Sequence, residues 1–184
     1  MKYQIIYADP PWSYNDKMAG HSFSLDHEYE TQSSDWIGQL PVKEITDDNA
    51  VLFMWAVSPQ IPQAINVMES WGFKYKTVAF CWIKQSKNKK ILSNLGRWTM
   101  GGMEVCLLGV KGKPNGWRQD KSIKQLVFAE RTRHSQKPNE VRDRIVQLLG
   151  ERKRIELFAR EKTHGWDTWG NELKNDIELL EVKG

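Results

Sequence analysis

A short apolar run, Tyr3 to Ala8 with Ile5, Ile6 and Tyr7 at its centre, leads straight into Asp9-Pro10-Pro11-Trp12. That junction constrains the fold more than any other stretch. An apolar run of this length reads as a buried strand. Two prolines then end the pairing, because neither offers an N–H to a ladder and each fixes its own φ. A carboxylate is thereby held at the carboxyl end of a core strand, where open α/β sheets take their ligands. The ring of Trp12 stands beside it. The plain structural alternative is a strand running into a proline turn, with Asp9 a turn former only.

The chemistry suited to such a corner follows from the groups themselves. Adenine's exocyclic amine is a poor nucleophile, since its lone pair is delocalised into the ring. A carboxylate and a backbone carbonyl, each accepting one amine hydrogen, draw that nitrogen toward tetrahedral geometry and localise the pair for attack on a methyl sulfonium. Asp9 and the carbonyl of Pro10 are the candidate acceptors, acting by alignment and electrostatics. Trp12 is the candidate stacking partner for a base taken out of its duplex.

Alternation along the chain predicts a mostly parallel α/β sheet with helices on both faces. Ser33 or Ser34 caps a short helix ending before Pro41. Val51 to Val57 is a second strand, and Ser58-Pro59 opens a helix that stops at Gly72. Phe73 to Lys84, Met103 to Val110 and Leu126 to Ala129 read as further strands. A helix runs from Pro138 to Gly150, with Val141, Ile145, Leu148 and Leu149 on one face. Arg154 to Phe158 is the last clear core strand, and Trp166 to Leu173 a terminal one. The polar stretch after Trp12, to about residue 32, reads as a mobile loop beside the site.

Length and composition narrow the class. A chain of 184 residues fits one domain with a substantial core. At 40% hydrophobic and 27% charged it reads as globular, with no apolar stretch near the ~20 residues of a membrane span. The first strand begins at once, which leaves no room for a signal peptide. Cys81 and Cys106 sit in apolar runs and read as buried thiols of a reducing cytoplasm. His21, His27, His134 and His164 lack the cysteine pairing of a structural zinc site, so no metal is expected. The nine tryptophans leave room for a homodimer interface.

The net charge of +4 is unevenly placed. Residues 84–124 hold ten Lys or Arg against two acids, a net +8, so the remainder carries −4. A basic segment in an otherwise acidic chain has the look of a phosphate-contacting surface. Lys87, Lys89 and Lys90 alone would read as a solvated loop. Arg97-Trp98 and Trp117-Arg118 add aromatics that stack on bases while cations hold the backbone, which makes Arg97, Trp98 and Arg118 candidate substrate contacts.

A second cluster, Ser135-Gln136-Lys137-Pro138, stands at a helix entry. Helix N-termini attract anions, and Lys137 adds a full positive charge there, which suits the carboxylate of an amino-acid moiety. The strand ending Glu156-Leu157-Phe158-Ala159-Arg160 follows. Polar groups there, with Asn171 and Glu172, suit a ribose diol; Phe158 is either plain core or an adenosine contact.

With these pieces in place, the chain resembles the MT-A70 family of S-adenosylmethionine-dependent adenine-N6 methyltransferases from Tyr3 to Leu173. Asp9-Pro10-Pro11-Trp12 carries most of the likeness. Tyr29-x-Thr31, Leu52-Phe53-x-Trp55, Trp71-Gly72-Phe73, Trp82-x-Lys84 and Glu104-Val105-Cys106-Leu107 support it. So do His134-Ser135-x-Lys137-Pro138, Glu156 through Arg160, Gly165-Trp166 and Gly170-Asn171-Glu172. The resemblance implies a Rossmann-like class I methyltransferase fold in permuted order, with the catalytic motif first, and S-adenosylmethionine as methyl donor. It implies that Lys137, with Ser135 beside it, meets the methionine carboxylate. Arg160, Asn171 and Glu172 meet the ribose, and Asp9 also lies against the methionine amino group. Tyr29 joins Trp12 on the substrate side. Phe158-Ala159-Arg160 replaces the glycine-rich loop of many permuted methyltransferases.

Nucleic acid is then the substrate, with DNA ahead of RNA because the chain carries no extra domains. A catalytically silent, nucleic-acid-binding partner subunit is the alternative from another class. Such a paralogue would be expected to lose the acid, the prolines or the lysine, all of which are present here. A nuclease would need a second acidic cluster with metal-binding spacing, and a zinc deaminase a Cys-x-x-Cys.

Overall fold

The computed structural model describes residues 2–13, 32–96, 98–132 and 136–179. Its most deeply covered strand is β1 (Tyr3–Ala8), in which Ile5, Ile6 and Ala8 have no exposed surface. Such a strand needs a covered neighbour on each side and each face, and it has them. β2 (Thr46–Ala56) pairs in parallel with one edge and β6 (Arg154–Leu157) with the other. β3 (Lys74–Gln85), β4 (Met103–Lys111), β5 (Leu126–Glu130) and β7 (Asp167–Trp169) complete a seven-stranded sheet in the order β5-β3-β4-β2-β1-β6-β7. Every pairing is parallel except those of β4, which runs antiparallel to both β2 and β3.

The period-2 geometry of β2 splits its side chains between two apolar layers. Ala50, Leu52, Met54 and Ala56 face a layer closed by α1 (Ser34–Gln39), α2 (Val42–Ile45) and α3 (Ile61–Ser70). Val51, Phe53 and Trp55 face the other layer, closed by α4 (Glu140–Leu149) through Val141, Ile145 and Leu149. Helices therefore cover both faces, which defines the Rossmann-like arrangement.

Local chemistry sets the helix ends. Ser33 caps α1, its Oγ accepting from the Trp36 N–H at 3.2 Å. A 3-10 turn, Ser58–Gln60, precedes α3, and the chain leaves the helix at Gly72 with φ 84°. Gly150, at φ 76°, ends α4 in a conformation that L side chains avoid.

Several boundaries differ from the sequence expectation. β2 begins at Thr46, because Thr46 pairs with Tyr3 and the residues between Thr46 and Val51 bulge out of the ladder with β1 before Val51 pairs with Ile5. The terminal strand stops at Trp169. Asn175 Oδ1 accepts from the Gly170 N–H at 2.7 Å, and the Asp176 carboxylate accepts from Thr168, so the chain turns back. The helix expected from Pro138 starts at Glu140. Cys106 is buried as expected. Cys81 is partly exposed, since it lies on β3 opposite Leu126 of the edge strand β5. Among the described residues no helix is long and apolar enough to cross a membrane.

Candidate active site

All the parallel strands end at one edge of the sheet, and the candidate residues gather there. The Asp9 N–H reaches the Leu157 carbonyl at 3.4 Å, which ties the end of β1 to the end of β6. Past Asp9 the chain folds tightly: the Pro10 carbonyl accepts the Trp12 N–H at 2.9 Å, and the Pro11 carbonyl accepts the Gln32 N–H at 2.8 Å. A carbonyl has two lone pairs, so Pro10 keeps one acceptor direction for a ligand. The indole of Trp12 is held edgewise, its Nε1 donating to the Trp55 carbonyl at 3.0 Å, and only 9% of the residue is exposed.

The Lys137 ammonium sits between two carboxylates. It donates to Asp9 Oδ2 at 2.7 Å and lies 3.2 Å from Glu104 Oε2. Lys84 reaches Glu104 from the other side, so Asp9, Lys137, Glu104 and Lys84 form an alternating chain of charge. Two tryptophan faces line it: Lys137 Nζ is 5.7 Å from the Trp55 ring and Lys84 Nζ is 5.2 Å from that of Trp82. Trp55 is fixed in turn by its Nε1, which donates to the Tyr7 hydroxyl at 2.6 Å.

The protonation states follow from this order. Burial pushes the Asp9 carboxyl above its usual range; Lys137 works against that shift and Glu104 adds to it. Burial opposes charge on Lys137, but Asp9 and Glu104 outweigh it and hold the ammonium protonated. Glu104 is likewise buried, yet Lys137 and Lys84 keep its carboxyl below the ordinary value.

At the end of β6 the backbone turns sharply. Phe158 has φ 61°, in the left-handed region that non-glycine residues seldom occupy, and packs edge-on against Trp169 at 5.4 Å. The next segment is pressed against the end of β7: a Cβ on Gly170 would lie 2.0 Å from the Ala159 carbonyl oxygen. That contact places Arg160 near Glu172, at 3.9 Å from Nε to Oε1, with Asn171 and Glu172 both exposed. The Arg160 charge is felt at Asp9, so the two halves of the site share one field. Beneath them, Arg142 of α4 forms a two-point ion pair with Glu156 of β6, at 2.7 and 2.8 Å.

The structure therefore brings together Asp9, Pro10, Trp12, Lys137, Phe158, Arg160 and Glu172 at one edge. Tyr29, Arg97, His134 and Ser135 lie outside the described residues. Trp98 is 97% exposed at the tip of the β3–β4 connection, on the site edge. Arg118 is elsewhere. β4 is antiparallel, so it carries the chain away from Asp9 to the opposite edge, where the Gln119 N–H meets the Leu148 carbonyl at the far end of α4. The basic stretch 84–124 is thus two surfaces at opposite edges of the sheet.

Lys84, Glu104 and Glu156 stand in motifs of the family resemblance, but no site role follows for them or for Arg142 from sequence. A charged residue inside, or at the rim of, an otherwise apolar strand or helix face is the further signal that marks them.

A mostly parallel sheet with one reversed strand, carrying an acidic residue at the end of a buried interior strand, is that of a Rossmann-like methyltransferase. The chain belongs to the MT-A70 family, whose profile matches residues 3–172. It is 40% identical to the Type II methyltransferase M.MunI of a Mycoplasma species, over 97% of this chain and 81% of that protein. It is 30% identical to the human N(6)-adenosine-methyltransferase catalytic subunit METTL3, over 98% of this chain and 30% of the relative. An Arabidopsis thaliana MT-A70-like N(6)-adenosine-methyltransferase is 27% identical, over 96% and 24%.

Proposed function

We propose that this protein transfers a methyl group from S-adenosylmethionine to the N6 amine of adenine in nucleic acid, with DNA as the substrate. The observation that carries the reading is the Asp9–Lys137 contact at the carboxyl edge of β1. An amino-acid head group is a zwitterion, and an adjacent anion and cation are the complement it needs. Lys137 suits its carboxylate and Asp9 its ammonium. The Arg160–Glu172 pair, with Asn171, suits a ribose diol. The donor set fits the cofactor that the family resemblance implies.

S-adenosylmethionine, when bound, supplies an electrophilic methyl group on a sulfonium. The chain's own residues do the rest. Asp9 and the free lone pair of the Pro10 carbonyl accept the two amine hydrogens and aim the nitrogen pair. Pro10 and Pro11 keep that corner rigid, because their φ angles are fixed. Glu104 holds the second side of the Lys137 ammonium while Asp9 turns to its ligands. Trp12 is buried in the apolar layer and pinned through Nε1, so in this structure its indole braces the Asp9 corner and does not present the open stacking face expected from sequence.

The likeness to a type II methyltransferase, higher in identity and in share of the relative covered, favours DNA over RNA. Incubation with methyl-labelled cofactor and either DNA or RNA, followed by nucleoside analysis, tests the reading. It predicts labelled N6-methyldeoxyadenosine; no label in either polymer would refute it.

A further inference from the structure

The connection from β3 to β4 is a built projection at the mouth of the site. The Lys84 N–H bonds to the Gly102 carbonyl at 3.0 Å and the Leu92 N–H to the Lys84 carbonyl at 2.8 Å, which roots the loop on a member of the charge chain. Asn94 and Gly101 then exchange two backbone hydrogen bonds, at 2.6 and 2.8 Å, closing a small hairpin. Side chains would clash within it: a Cβ on Gly96 would lie 2.3 Å from the Thr99 carbonyl oxygen, and one on Gly102 2.4 Å from that of Leu92. The hairpin tip is therefore shaped to present what it carries. It carries Leu95 at 84% exposure, Trp98 at 97% and Met100 at 60%. Apolar side chains this exposed mark a surface with an occupant.

The charge around them indicates which. Residues 84–103 contain five Lys or Arg and no acid. A two-fold contact of this loop with that of a second copy would bring like charges together. A polyanion is the complementary partner, and an apolar wedge flanked by cations is the device that unstacks a base step.

The geometry points to the Leu95–Trp98–Met100 tip as a wedge that enters the base stack of a duplex beside the target adenine and holds it open while the adenine is in the site. This rests on the adenine methyltransferase reading above. A wedge lowers the cost of extrusion, so its removal matters where the base is paired and stacked, and little where it is not.

The test first maps the methylated adenines on a plasmid treated with wild-type protein. Single-turnover methylation is then measured on three oligonucleotides around one mapped site: a matched duplex, a duplex abasic opposite the target, and the single strand. Trp98→Ala is expected to slow the matched duplex by about tenfold or more, and the other two by less than about twofold. Leu95→Ser should repeat the pattern more weakly, and Trp98→Phe should recover most of the rate. An equal loss on all three substrates would overturn the wedge. So would an unchanged matched-duplex rate, or a shift in sedimentation showing that Trp98→Ala breaks an oligomer. Failure of wild type to methylate any adenine would instead refute the functional reading itself.

Discussion

Lys137 donates a 2.7 Å hydrogen bond to Asp9 across 128 residues of chain. Neither charge is easily kept at this depth alone, since removing an ion from water costs several kcal/mol even after relaxation. Each supports the other, and each is the group that an incoming zwitterion would engage. Ligand binding here is an exchange of partners, and Glu104 keeps Lys137 from losing both of its own.

Asp9→Ala should abolish methyl transfer while leaving the fold intact, because Asp9 lies just past the end of β1 and Glu104 still pairs with Lys137 in its absence. The loss should reach roughly a hundredfold to a thousandfold or beyond in kcat. Asp9→Asn should be severely impaired too, since its amide presents an NH₂ in place of one acceptor. Circular dichroism beside single-turnover rates separates the two effects, and near-normal turnover would remove Asp9 from the mechanism.

Lys137→Ala should weaken S-adenosylmethionine binding by roughly 1.5–3 kcal/mol, about tenfold to a hundredfold in Kd, through loss of a charge-assisted bond. Glu172→Ala should weaken it less, because a diol is neutral. Titration calorimetry of the three proteins checks the order, and equal affinities would move the cofactor elsewhere.

The rate should depend on pH through Asp9. The ionised carboxylate is much the stronger acceptor for an amine hydrogen, and burial raises its pKa above the ordinary 3.8. Activity is then present above that raised value and falls as pH drops through it. Glu104→Gln removes a neighbouring negative charge and leaves Lys137 to Asp9 alone; both changes favour the ionised form. The acid limb of the kcat/KM profile should therefore move to lower pH in Glu104→Gln, whatever happens to its height. An upward shift would contradict the charge order described above.

Stability rests on a different pair. Arg142→Ala would strand the buried carboxylate of Glu156, which burial already pushes above its normal range. Breaking such a pair costs about 3–5 kcal/mol, roughly 6–20 °C in Tm for a chain of this size. The double replacement Arg142→Met with Glu156→Leu should recover much of the loss by removing both charges. A thermal melt of the double variant no better than the single one would show that the pair does more than compensate its own charges.

The two basic surfaces should behave differently. Lys87, Lys89 and Lys90 stand with the site, so replacing all three should lower the salt slope of nucleic-acid affinity by roughly 2–3 units, at 0.7–0.9 per phosphate contact. Arg118→Ala, at the opposite edge, should leave both slope and turnover unchanged. A fall in slope for Arg118→Ala would mean that the bound polymer wraps to the far edge.

What could be read from sequence was local. The strand before Asp9, the capping Ser33 and the stop at Gly150 each depend on a few adjacent residues, and each is found where expected. Lys137 was placed by its helix entry and its match to a family motif. Lys84 and Glu104 stand in separate motifs, and their meeting is not legible there because it depends on the β3–β4 register, in which Trp82 lies opposite Glu104. The grouping of Arg118 with Trp98 does not hold for a related reason: charge counted along a chain takes no account of a strand that reverses direction. The start of β2 at Thr46 lies outside any apolar alternation, because the residues between Thr46 and Val51 bulge out of the ladder with β1.

The interior position of β1 also governs when the protein can become itself. β1 is made about 150 residues before β6, the strand that covers its second edge. At ribosomal speeds of about 5–20 residues per second, that edge stays open for roughly ten seconds or more of synthesis. Pairings so distant in sequence are also slow to close once the chain is free. Nascent chains of this protein thus pass through a stage in which β1 and β2 can pair while β6, whose end is tied to Asp9, does not yet exist. During that stage the open edge is a risk for aggregation, and the site edge is complete only once β6 has joined.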